Sequence, residues 1–174
     1  MPENDALARA ESLIGVIPDY PSPGILFRDI TPMLADAAAL RACIGALVEP
    51  FAGRFDVVAG IEARGFLLAG AVAAAAGVGL VPIRKAGKLP RPAVSVDYAL
   101  EYGTATIEAH DDLPEGCRVL LLDDVLATGG TLAAAQRLVG RLGCVVGGSA
   151  VLLELDGLGG RALAGDDVHT LFHA

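Results

Sequence analysis

Two adjacent carboxylates, Asp123 and Asp124, follow four aliphatic residues, Val119-Leu120-Leu121-Leu122, and precede Val125-Leu126-Ala127-Thr128-Gly129-Gly130-Thr131. The aliphatic run predicts a central strand over residues 118–122 that delivers both carboxylates to its end, where a loop begins. The loop is built from small residues, two glycines and two hydroxyls, and runs into a helix expected from about Thr131 to Leu142. The N–H groups at the start of a helix, with the positive end of its dipole, form a phosphate cradle. Gly129 and Gly130 allow close approach and positive φ, Ala127 adds no bulk, and Thr128 and Thr131 can donate hydroxyls. Carboxylates beside a phosphate would repel it. They suit a ligand that also carries sugar hydroxyls, gripped directly or through hydrated Mg²⁺. Adjacent aspartates alone would equally suit a capped strand-to-helix turn; the whole ordered run is far more specific. Neither G-x-x-x-x-G-K-[ST] nor G-x-G-x-x-G occurs at a strand-to-helix turn.

Cations are scarce in a chain of formal net charge −8, which argues against a nucleic-acid partner held by a general basic field. They gather instead at Arg84, Lys85, Lys88 and Arg91, and this local reversal suggests a small anionic ligand. Gly87, Pro90 and Pro92 accompany them, so the segment reads either as a solvated charge cluster or as a mobile lid that excludes water. Arg64 follows a predicted strand over 56–61, where a guanidinium could fork onto a phosphate or simply form a surface ion pair.

The elements that must position these groups follow from pattern. A chain of 174 residues, 53% hydrophobic and 20% charged, fits one domain with a proper core. Helices are expected over 6–14, from an Asp36 N-cap to about Phe51, and in the Ala-rich stretch after Gly65. The run Pro18–Gly24 is expected to be extended or turned. Further strands are expected over 80–83, 96–101, 104–109, 145–153 and 168–171. Strands alternating with helices imply a mainly parallel twisted sheet with helices on both faces and a ligand edge at the strands' carboxyl ends. Residues 65–83 carry no charge and approach a membrane span in length, but the Gly77-Val78-Gly79 break favours a buried helix followed by a core strand. Cys43, Cys117 and Cys144 have neither metal-site spacing nor an even count, and the polar N-terminal stretch lacks a signal-peptide pattern. Both features predict a reduced, cytoplasmic protein.

The run 119–131 resembles the phosphoribosyl pyrophosphate motif of type I phosphoribosyltransferases. Other segments are similar to the adenine-using members of that family: Ile17-Pro18-Asp19-Tyr20-Pro21, Pro23 through Thr31, Glu62-Ala63-Arg64-Gly65-Phe66, Arg84 through Pro90, and Leu100-Glu101-Tyr102-Gly103. The resemblance covers roughly residues 15 to 155, and residues 156–160 follow it loosely. It implies an α/β fold, a mainly parallel sheet flanked by helices with a flexible lid or hood, in a single domain over 1–174 with the lid at about 84–103. The implied reaction converts adenine and phosphoribosyl pyrophosphate to AMP and pyrophosphate with Mg²⁺, in a homodimer without nucleic acid or membrane. By the same resemblance Asp123 and Asp124 hold the ribose and residues 127–131 its 5-phosphate. Arg64 contacts pyrophosphate or phosphate, while Arg84 and Lys88 approach the leaving group, Arg84 in the neighbouring subunit's site.

Leu26, Phe27 and Arg28 would form the purine pocket, Phe27 as a stacking wall and the backbone groups of Leu26 and Arg28 as hydrogen-bonding partners. The residues alone read equally as a β-segment packing Ile25 and Phe27 in a core. Glu101, which taken alone reads as a solvated hairpin residue, would handle the purine ring proton, and Tyr102 would orient substrate. Two other functions fit the same motif. One is transfer to a different base. The other is a non-catalytic sensor of phosphoribosyl pyrophosphate that binds DNA, which this acidic chain, with no added domain, suits poorly.

Overall fold

The computed structural model describes residues 3–100 and 103–174, in two compact units that meet in the chain between Ala46 and Leu47. The first opens with α1 (Glu3–Ser12) and a two-stranded antiparallel ribbon, β1 (Gly15–Pro18) and β2 (Leu26–Asp29), in which Ile17 faces Phe27. The proline-rich connection is a turn, as expected: Asp19 and Gly24 have positive φ, and Asp19 Oδ1 accepts the Gly24 N–H at 2.7 Å. A short helix not anticipated from sequence, α2 (Thr31–Ala35), carries Pro32 in its first turn, where no N–H is needed. Asp36 then caps α3 (Ala37–Val48), its Oδ1 accepting N–H bonds from Ala38 at 3.1 Å and Ala39 at 3.0 Å. The helix expected to reach Phe51 tightens at Val48 into a 3-10 turn over Glu49–Phe51, because Pro50 cannot donate the next helical bond.

The second unit holds a seven-stranded sheet. In chain order its strands are β3 (Val57–Ile61), β4 (Gly79–Lys85), β5 (Val94–Leu100), β6 (Gly103–Ala109), β7 (Arg118–Leu126), β8 (Val145–Glu154) and β9 (His169–His173). Their order across the sheet is β5-β6-β4-β3-β7-β8-β9. β4, β3, β7, β8 and β9 run parallel; β6 is antiparallel to both its neighbours. The expected mainly parallel sheet is therefore present, with a hairpin added at one edge.

Two helices cover the sheet. α5 (Gly130–Arg141) buries Leu132, Ala135, Leu138 and Val139 against Ala59, Ile61 and Leu121. α4 (Gly65–Ala76) meets the opposite pleat of β3 through Gly60, where a Cβ would lie 2.7 Å from Ala69 Cβ and 2.9 Å from the Gly65 carbonyl. Only glycine lets α4 approach so closely. α4 stops at Gly77, in the left-handed region at φ 70°, and among the described residues no helix is long and apolar enough to cross a membrane.

Two boundaries depart from expectation. β7 does not end at Leu122; it continues through Asp123 and Asp124 to Leu126, paired with β8 at Asp123↔Val151 and Val125↔Leu153. The carboxylates are strand residues rather than loop residues, because β8 is long enough to keep pairing past them. A one-turn helix, α6 (Arg161–Ala164), also fills what sequence leaves as an irregular segment.

Candidate active site

The carboxyl ends of β3 and β7 bring the central groups together. Asp123 is half-buried and Asp124 buried, and the Asp124 N–H donates to Asp123 Oδ1 at 2.8 Å. Arg64, the residue before α4, sets Nη2 2.7 Å from Asp124 Oδ2. That contact is an ion pair off the N–H axis: Asp124 Oδ2 is buried and takes no aligned hydrogen bond among the described residues. Burial first, and then the neighbouring Asp124 charge, push the Asp123 carboxyl well above the usual carboxylate range. Gly65 is required here by contact, since a Cβ would sit 2.8 Å from the Leu122 carbonyl and 3.1 Å from Asp123 Oδ1. The preceding Glu62–Ala63 peptide is cis.

Beside this pair lies a cleft of about 580 Å³, within the size range of small-ligand sites, lined by Arg64, Lys85, Tyr98, Asp123, Asp124 and Thr131 among others. A smaller cup adjoins it and shares Asp123 and Thr131; its remaining wall is the loop from Val125 to Leu132. Gly129, at φ 80°, precedes α5 without any side-chain cap, and the first bond of the helix runs from the Ala133 N–H to the Gly129 carbonyl. Gly130, Thr131 and Leu132 line the cup, and their N–H groups have no internal acceptor among the described residues. Gly130 is closely packed, with the Ala99 carbonyl 3.2 Å from where a Cβ would be. An acceptor-rich, negatively charged group matches these donors.

The base of the predicted lid is organised by a residue that sequence reasoning missed. Glu62 Oε1 accepts from Lys88 Nζ at 2.9 Å and lies 3.4 Å from Arg84 Nη2, while Oε2 accepts the Lys85 N–H at 2.9 Å. The Lys88 bond is the main cause that holds the Glu62 carboxyl down at about 2. Arg84 also donates to the Lys88 carbonyl at 3.1 Å, and His110 Nε2 bonds the Pro90 carbonyl at 2.9 Å. Lys88 and Arg84 thus lie together, and both lean on an acid whose role no local pattern announced. Only the parallel register of β3 on β4, Ile61 against Ile83, brings them together.

Leu26, Phe27 and Arg28 lie on β2 in the first unit. The alternative reading of that segment as core is corrected: Ile25 and Leu26 are exposed, and Phe27 is half-buried with its ring edge-on to Tyr20 at 5.1 Å. Glu101 and Tyr102 lie outside the described residues. A second cavity of about 280 Å³, near the opposite ends of β3 and β4, is lined by Val57, Leu80, Pro82, Leu89, His110 and Asp112 among others, with no Lys or Arg.

Sheet order and cleft together define an α/β protein with its ligand site at the carboxyl edge of its sheet. Residues 29–168 match the family model described as phosphoribosyl transferase domain. The chain belongs to the phosphoribosyltransferase family. Its relatives are more particular. The adenine phosphoribosyltransferase of Renibacterium salmoninarum is 59% identical over 98% of this chain and 94% of its own. The crystal structure of adenine phosphoribosyltransferase from Rhodothermus marinus is 48% identical, with a TM-score of 0.92 over 98% of this chain and 99% of that one. The Saccharomyces cerevisiae enzyme, solved with an imino-altritol bisphosphate and adenine, is 37% identical, with a TM-score of 0.90 over 97% of this chain and 99% of that one.

Proposed function

We infer that this chain transfers the phosphoribosyl group of phosphoribosyl pyrophosphate to adenine, releasing AMP and pyrophosphate. The observation that carries the reading is the cup of unbonded N–H groups sharing Asp123 and Thr131 with the larger cleft. One ligand spanning both would set its 5-phosphate on residues 127–131 and its ribose hydroxyls on Asp123 and Asp124. A purine nitrogen attacks the anomeric carbon as the carbon–oxygen bond to pyrophosphate breaks. Positive charge builds on the sugar and negative charge on the leaving group. Asp123 and Asp124 orient the ribose and face the developing positive charge. Arg64, Lys88 and Arg84 offset the charge on pyrophosphate, and most of the rate comes from positioning.

The purine's displaced proton is assigned to Glu101, with Tyr102 orienting substrate. Base recognition is assigned to Leu26, Phe27 and Arg28; the exposed Val16, Ile17, Tyr20, Ile25 and Leu26 of that ribbon and its turn support it, since clustered exposed apolar side chains mark binding surfaces where lone ones do not. The carboxylates suit Mg²⁺: Asp124 Oδ2 is buried without an aligned donor. Asp123 and Asp124 would approach the ion directly or through water, with the donor's own oxygens completing its shell. Bound there, Mg²⁺ supplies charge neutralisation for the departing pyrophosphate. Arg84 serves the neighbouring site of a homodimer in this reading. Three free cysteines support a reducing compartment, the cytoplasm.

Isolation of AMP from adenine and phosphoribosyl pyrophosphate tests the function, with hypoxanthine and guanine as competing bases. Pyrophosphate release with adenine alone is expected. No release with any base, from protein that binds the donor, would leave only a sensing role.

A further inference from the structure

We propose that Arg161 and Glu154 are positioning residues for the 5-phosphate loop, acting through Gly160; this rests on the phosphoribosyl-transfer reading above. The loop is backed by a second turn. A Cβ on Gly129 would overlap the Gly160 carbonyl, and a Cβ on Gly160 would overlap the Ala127 carbonyl, so the two backbones touch directly. The position of Gly160 therefore sets how far the cup can spread.

Arg161, the next residue, is fixed on every side. Its Nε donates to both Glu154 oxygens at 3.0 Å, and its Nη2 donates to Glu154 Oε2 at 2.7 Å and Thr170 Oγ1 at 3.1 Å. Its Nη1 donates to the Asp166 and Val168 carbonyls at 2.8 and 2.9 Å. Glu154 is buried at the end of β8, opposite Leu126 of β7, the last residue before the loop. The Leu155 N–H bonds the Leu126 carbonyl at 2.9 Å. At the far end of α6, Gln136 of α5 donates to the Ala164 carbonyl at 2.8 Å. The guanidinium thus ties the backing turn to β8, which pairs with the strand that feeds the loop, and Gln136 ties it to the helix that leaves it. A planar fork with five donors suits this task; a lysine could satisfy only part of the set.

Titrating the full chain by calorimetry, with ribose 5-phosphate and separately with pyrophosphate, tests the proposal. For Arg161→Lys and Glu154→Gln, ribose 5-phosphate affinity should fall roughly tenfold, about 1.4 kcal/mol, while pyrophosphate affinity holds. In turnover, KM for the donor should rise with kcat little changed. Equal loss of both ligands together with a lowered melting point, or no loss of either, overturns the proposal. If Arg161→Ala fails to fold, the Arg161→Lys result decides. Wild-type protein that binds no ribose 5-phosphate would instead sink the phosphoribosyl-transfer reading itself.

Discussion

The two ends of β7 carry opposite electrostatics on one nine-residue strand. At its start, Arg118 and Asp56 satisfy each other: Nε reaches Asp56 Oδ2 at 3.0 Å, Nη2 reaches Oδ1 at 2.5 Å, and Nη1 donates to the Gly53 carbonyl at 2.8 Å. Those bonds hold the Asp56 carboxyl down at about 2. At its end, two carboxylates stand side by side, one pushed well above the usual range, next to a loop whose N–H groups lack internal acceptors. Folding alone favours the first arrangement. The second costs stability, and a site that must receive a charged, hydroxyl-bearing ligand explains it.

The largest expected effect comes from removing the two adjacent carboxylates. Asp123→Asn with Asp124→Asn should lower turnover by at least roughly a hundredfold, as loss of substrate positioning does, with the fold intact by circular dichroism. Wild-type rates would refute the ribose assignment. Gly129→Ala should come next. Its φ of 80° and its contact with Gly160 leave no place for a methyl group. We expect a cost of about 1–3 kcal/mol in stability and a raised KM for the donor but not for adenine.

The comparison sharpens in thermal unfolding. Asp123 has a folded-state pKa above its unfolded one, so its penalty is absent below pH 3.8 and grows as pH rises through the folded value. Asp123→Asn should therefore raise the melting midpoint near pH 7, by roughly 2–4 °C per kcal/mol relieved, and leave it unchanged at the acid end. Asp56 has a depressed folded pKa. Its contribution is present above pH 3.8 and fades as pH falls toward about 2. Asp56→Asn should lower the midpoint slightly at pH 7, because the pair is exposed, without touching activity. Two shifts of the same sign would erase the contrast between the strand's ends. The mildest change is Glu62→Gln, which loosens Lys88 and Arg84; a raised donor KM with unchanged melting is expected, and steady-state kinetics with differential scanning fluorimetry reads both.

Much of this was legible because it is local. The loop's small residues, glycines and hydroxyls announce an N-terminal anion site without knowledge of the fold, and the helix break at Gly77 is equally plain. The end of β7 was misread because aspartates rarely sit within strands, and only the length of β8 shows that pairing continues through them. The roles of Glu62 and Gly160 carry no local signal, although Glu62 opens one of the resembling segments. The first acts through a strand register and the second through backbone contact with a loop about thirty residues away in the chain. The boundary between the two units falls within α3, so no linker composition marks it.

The most direct test of the central claim is a crystal structure of the chain with phosphoribosyl pyrophosphate bound. The account predicts the 5-phosphate on the N–H groups of Gly130, Thr131 and Leu132, with the ribose 2- and 3-hydroxyls within hydrogen-bonding distance of Asp123 and Asp124. A 5-phosphate bound elsewhere, with those N–H groups turned to other acceptors, would contradict it.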